Sequence, residues 1–126
     1  MAQRVAIIND DPIFLDLMRA VLSEAGYEPY PTAAGDLAYQ QVRDLQPDAI
    51  ILDIRIETPD VGYKTLELLK LDRALSATPL IVCSADEREL RDRRAYLESK
   101  GCLLLPKPFI LADLLQTLAQ ALEGIA

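Results

Sequence analysis

Five short apolar runs alternate with longer stretches in which apolar residues recur at helical spacing, and this alternation leaves the chain little choice of architecture. The runs are VAIIN (Val5–Asn9), YEPYP (Tyr27–Pro31), DAIILD (Asp48–Asp53), PLIVCS (Pro79–Ser84) and CLLLP (Cys102–Pro106). The first intervening segment, Pro12 to Ala25, carries Phe14, Leu17, Met18, Val21 and Leu22 on one helical face, and Gly26 follows where a helix end favours a left-handed residue. Thr32 to Leu45 reads as a second helix with Thr32 as its N-cap, Asp60 to Arg73 as a third, and Ala85 to Lys100 as a densely charged fourth closed by Gly101. Ile110 to Glu123 is the fifth, with Leu111, Leu114, Leu115, Leu118 and Leu122 in one stripe and Gly124 at its end. Strand and helix in strict alternation imply parallel strands joined by right-handed crossovers, with helices on both faces of the sheet. The central runs are apolar throughout, as strands buried on both faces should be. YEPYP holds two prolines and is expected at one edge, and CLLLP, which ends in proline, at the other.

Composition narrows the class. A chain of 126 residues, 51% of them apolar, fits one domain spanning residues 1–126, with no linker, repeat or low-complexity tract. The net charge of −7 argues against direct binding to nucleic acid or to an acidic membrane. No N-terminal signal and no membrane-spanning stretch is visible, so a cytoplasmic soluble domain is expected. Cys83 and Cys102 both sit in apolar runs and read as buried, reduced thiols; with no histidine and only two cysteines in the chain, a zinc site is not expected.

Ligands of open α/β sheets bind at the carboxyl ends of the strands. The first strand delivers Asp10 and Asp11 there, the second Tyr30 and Pro31, the third Asp53, the fourth Ser84 and the fifth Lys107. Each has an ordinary use when taken alone. Asp11 before Pro12 makes a good helix cap, Ser84 can cap the next helix, Asp53 can end a strand in a turn, and Lys107 can simply be solvated. The set is less ordinary. Crowded carboxylates need a cation to stay ionised together, and hard oxygen donors suit Mg²⁺. An ammonium and a hydroxyl facing a metal-bound carboxylate can hold a phosphoryl group, with the carboxylate as nucleophile and an aspartyl phosphate as product.

With NDDP, Asp53 closing AIILD, Ser84 in VCSAD and Lys107 in PKPF, the whole chain resembles the CheY-like receiver domain of two-component response regulators. The resemblance implies a flavodoxin-like, doubly wound (βα)5 three-layer sandwich whose five parallel strands run in the order 2-1-3-4-5. It implies phosphoacceptor Asp53, Mg²⁺ held by Asp10, Asp11, Asp53 and the backbone carbonyl of Arg55, and a phosphoryl group gripped by Ser84 and Lys107. It also implies a cis bond before Pro108, and a sensor histidine kinase or phosphotransfer protein as donor. The chain would act on itself only, through Mg²⁺-dependent self-phosphorylation and autodephosphorylation, and would switch the binding of a downstream protein or output domain. The helix faces of Ala85–Lys100 and Ile110–Glu123 are the candidate surface for a homodimer.

Two places depart from the family pattern. The segment DIRIETPDVG lengthens the loop from Asp53 to Gly62 by one residue and displaces its proline to Pro59, and Leu104 stands where the family often has an aromatic switch residue. No output domain follows Ala126, which leaves open a single-domain regulator or a receiver cut from a longer protein. The competing readings are an aspartate-nucleophile phosphatase or phosphotransferase, a degenerate receiver used only for protein binding, and a flavin module. The first usually carries a second acid where this chain has Arg55; the second requires the loss of a site residue; the third needs a phosphate-cradling loop after the first strand.

Overall fold

Runs of Val, Ile and Leu that are apolar at every position cannot face water on either side, and here they form the middle of a sheet covered on both faces. The computed structural model describes residues 2–33, 37–53, 59–84, 87–106 and 111–123. Strands β1 (Arg4–Asn9), β2 (Glu28–Ala33), β3 (Ala49–Asp53), β4 (Leu80–Ser84) and β5 (Cys102–Pro106) alternate with helices α1 (Pro12–Glu24), α2 (Ala38–Leu45), α3 (Pro59–Leu71), α4 (Glu87–Ser99) and α5 (Leu111–Leu122). All pairings are parallel and the order is β2-β1-β3-β4-β5, as expected. The result is the flavodoxin-like, doubly wound architecture.

The two-residue period of the strands divides the core into two layers. Ala6, Ile8, Ile50, Leu52, Leu80 and Val82 pack with Val42, Leu66, Leu69 and Leu97 from α2, α3 and α4. Val5, Ile7, Ile51, Ile81 and Cys83 pack with Met18 and Leu22 of α1 and Leu114 and Leu118 of α5. Each fully buried aliphatic side chain is worth roughly 1.5–3 kcal/mol relative to exposure, so both layers contribute to holding the strand ends in place. Cys83 and Cys102 are buried thiols in opposite layers, which accounts for their not forming a disulfide.

The second helix differs from the sequence expectation. Thr32 is not its N-cap: Thr32 and Ala33 extend β2, pairing with Ile8 and Asn9, and α2 begins at Ala38. Thr32 is buried, and a β-branched residue beside a core strand gains more from the sheet than from a cap. The second strand therefore ends beyond Tyr30 and Pro31. Its prolines are tolerated because Glu28 N donates to Gln3 O, so the nitrogens of residues 29 and 31, in the opposite phase, face away from β1. The other helices match their expected positions to within two residues at either end. Gly26, at φ 96°, takes the left-handed turn after α1.

The third helix stops short of Arg73 because Asp72 folds back onto the chain. Its carboxylate accepts from Ala74 N at 2.9 Å and from the Tyr39 hydroxyl of α2 at 2.7 Å, with the Arg43 guanidinium 3.3 Å away. The Tyr39 bond, then the Ala74 bond, hold Asp72 below the ordinary carboxylate range. Because the folded pKa is depressed, this stabilisation is fully present above the unfolded value and is lost as pH falls through the folded one. Urea unfolding followed from neutral into acid pH should therefore show an acid loss of stability that Asp72→Asn reduces. Identical acid limbs in the two proteins would rule this out.

Candidate functional site

The site lies where β1 and β3 run out. Ile8 pairs with Leu52, so the next residues, Asn9 and Asp53, stand side by side at the carboxyl edge of the sheet. Asn9 is only 2% exposed, Asp53 is half-buried, and Asp10 and Asp11 are exposed. Asn9 Nδ2 donates to Asp53 Oδ2 at 3.1 Å, and Asn9 Oδ1 accepts from Asp11 N at 2.8 Å.

Asp11 is committed to α1. Its backbone is extended, Pro12 opens the helix, and Asp11 Oδ1 accepts from Ile13 N at 3.0 Å, the bond expected of an N-cap. The cap bond occupies one of the two carboxylate oxygens. Among the described residues, no three His, Cys, Asp or Glu side chains gather closely enough to hold a metal ion. Asp10, exposed, and Asp53, half-buried, are hard oxygen donors, the first just after β1 and the second closing the adjacent β3. That suits Mg²⁺, which binds through one or two carboxylates and retains several waters.

The backbone carries the other candidates to the same edge. Asp53 pairs with Cys83, so Ser84 comes one residue later on β4, and Ser84 pairs with Pro106, directly before Lys107. The side chain of Ser84, and Arg55, Lys107 and Pro108, lie outside the described residues, as do Ala85 and Asp86. Leu104 is half-buried on β5, paired with Val82 and packed on the α2–α3–α4 side of the sheet. On that side Tyr63 of α3 and Tyr96 of α4 meet edge to face, with centroids 6.3 Å apart. The Tyr96 hydroxyl donates to Glu67, which pushes its pKa up to about 12, and the Arg93 guanidinium lies 5.1 Å from the Tyr63 ring. The helices that follow Asp53 and Ser84 are thus joined to each other.

Asn9 was missed by sequence reasoning, which took it as the end of an apolar run. The available signal was the cap: once Asp11–Pro12 is assigned to the helix start, the polar pair left at the strand end is Asn9–Asp10.

A doubly wound parallel sheet with carboxylates at the ends of two adjacent central strands defines a class of α/β proteins that work at that edge. The chain belongs to the response regulator receiver domain family, whose model matches residues 5–119. It is similar to the DNA-binding response regulator MtrA of Mycolicibacterium smegmatis, 28% identical over 109 residues, covering 86% of this chain but 46% of MtrA. The chain thus spans about half the length of that relative. It is also 28% identical to the polar-differentiation response regulator DivK of Brucella ovis, over 94% of both chains. Among solved structures, the receiver domain of the sensor histidine kinase PA1611 from Pseudomonas aeruginosa, with a magnesium ion coordinated in its active-site cleft, superposes with a TM-score of 0.82 at 25% identity. That match covers 98% of this chain and 99% of the other.

The cap bond of Asp11 has a stability consequence of its own. Asp11→Ala should cost about 1 kcal/mol in urea unfolding, and Asp11→Ser, which keeps a capping oxygen, only a few tenths. Equal losses in the two variants would show that the carboxylate does something a hydroxyl cannot.

Proposed function

We propose that this receiver accepts a phosphoryl group on Asp53 from the phosphohistidine of a sensor kinase or phosphotransfer protein, with Mg²⁺ present, and that the resulting aspartyl phosphate changes what the domain binds. The observation that carries this is the placement of Asp53. It ends the central strand of a receiver fold, half-buried, with Asp10 at the neighbouring strand end and one carboxylate oxygen held by Asn9. A carboxylate oxygen of Asp53 attacks phosphorus, the bond from phosphorus to the donor's imidazole nitrogen breaks, and the imidazole leaves with the electron pair. Magnesium supplies positive charge against the phosphoryl oxygens.

Asp10 and Asp53 would hold the ion through their carboxylates, and the Arg55 carbonyl would be a further donor. In this reading Lys107 would add a second positive charge and Ser84 a hydroxyl donor to the phosphoryl group. Support for Mg²⁺ comes from the donor chemistry and from the PA1611 receiver, whose cleft holds that ion. The reading also includes a cytoplasmic setting, to which one observation is relevant: among the described residues no helix is long and apolar enough to cross a membrane.

The phosphoryl group adds about two negative charges at the sheet edge. Leu104 is aliphatic and already packed, so the response passes through the turn after β4 and into α4, whose Arg91, Arg93 and Arg94 are exposed. That helix changes its pose and its partner.

Two experiments check the assignment. Mass spectrometry after incubation with a small-molecule phosphodonor and Mg²⁺ should show one added phosphate in the wild type and none in Asp53→Asn; equal labelling of the variant would sink the acceptor role. Lys107→Ala should keep the wild-type thermal midpoint without ligand, yet lose most of the amide-exchange response of residues 85–94 to beryllofluoride with Mg²⁺. A full response in that variant would remove the lysine from the switch.

A further inference from the structure

Asn9 is a buried amide with both ends engaged beside Asp53, and beyond holding one oxygen of Asp53 the reading above gives it no role. Its two bonds fix how it sits. A backbone N–H can only donate and an ionised carboxylate can only accept, so the oxygen must face Asp11 N and the nitrogen must face Asp53. It therefore ties Asp53, at the end of β3, to Asp11, the N-cap of α1. A carboxylate of the same shape in this place could still accept from Asp11 N. It would, however, set a like charge about 3 Å from Asp53 Oδ2 where the amide now donates.

We propose that Asn9 is the positioning residue of the phosphoacceptor and the determinant of the site's cation affinity: a neutral tether that orients Asp53 before any metal arrives, while holding the local charge to that of Asp10 and Asp53. This rests on the receiver reading above and deepens it. Three consequences follow from the chemistry. The metal-free protein is stable because the amide relieves repulsion that a third carboxylate would create. Its Mg²⁺ affinity is set low, since affinity in oxygen-ligand sites rises with the number of charged ligands. Asp53 is already oriented in the metal-free state, so the ion is not needed to set its rotamer.

The test is Asn9→Asp in the full chain, with Mg²⁺ titrated by calorimetry and by thermal unfolding, beside Asn9→Ser as a smaller replacement that cannot span to Asp53. In metal-free buffer Asn9→Asp should unfold at a lower temperature than wild type. Added Mg²⁺ should restore it, with a dissociation constant about tenfold tighter than that of wild type. Asn9→Ser should bind Mg²⁺ with near wild-type affinity but label at Asp53 more slowly at saturating Mg²⁺. A merely structural role predicts something else: Asn9→Asp less stable at every Mg²⁺ concentration, with unaltered affinity. That result, or wild-type labelling in Asn9→Ser, overturns the proposal. The wild-type arm separates the two levels. If the wild-type chain takes phosphate at Asp53 and binds Mg²⁺ while Asn9→Asp gains no affinity, only the role of Asn9 falls. If the wild-type chain does neither, the receiver reading falls, and the role of Asn9 with it.

Discussion

The parallel ladder between β1 and β3 is the constraint from which the rest of the site derives. Ile8 opposite Leu52 fixes Asn9 opposite Asp53, and a slip of one residue would exchange the two faces of the strand. Such a slip would send Val5 and Ile7 into the layer built for Ala6 and Ile8, exposing each layer to side chains of the wrong size. The packing of two apolar layers thus enforces, at a distance, a hydrogen bond between two polar side chains at the sheet edge. The other strands inherit the same frame: Asp53 lies beside Cys83 and Ser84 beside Pro106.

Much of this was legible in the sequence, and the reasons are physical. Strands buried on both faces read as unbroken apolar runs, so β1, β3 and β4 were visible without any partner, and the strand–helix alternation fixed their parallel sense. Asp53 alone could end the strand in a turn, and it drew attention only together with the acids that follow β1. The second helix was not, because Thr32 is compatible with both a cap and a strand, and only its pairing with Ile8 decides. The division of labour in NDDP was also hidden. Adjacent acids look equivalent in a sequence, whereas the helix that begins at Pro12 takes Asp11 and not Asp10 as its cap. Asn9 was hidden for a related reason: an amide ending a strand has no charge to draw attention, and its two bonds reach residues that only the fold makes neighbours.

On the α3–α4 side the structure supplies a connection between the helices that the sequence did not suggest. Leu104 lies in the same layer as Tyr63 and Tyr96, whose rings contact across the two helices, while the Tyr96–Glu67 bond and the Arg93 guanidinium flank the pair. Aromatic contacts of this kind add about 0.5–1.5 kcal/mol beyond their buried area, enough to couple two helices without locking them. The large aromatic groups on this side thus belong to the helices, and the strand contributes an aliphatic one.

The outward-facing prolines of β2 bear on how the molecule meets its own kind. An edge strand normally offers a row of N–H donors to which another chain can add, the route to runaway sheet growth. At Pro29 and Pro31 those donors do not exist, so a second molecule approaching that rim finds acceptors without their matching donors. The rim beside the acceptor's own neighbouring strand is therefore closed to templated β-addition, and a concentrated pool of this protein is protected from fibre formation there by two residues that otherwise weaken the strand holding them.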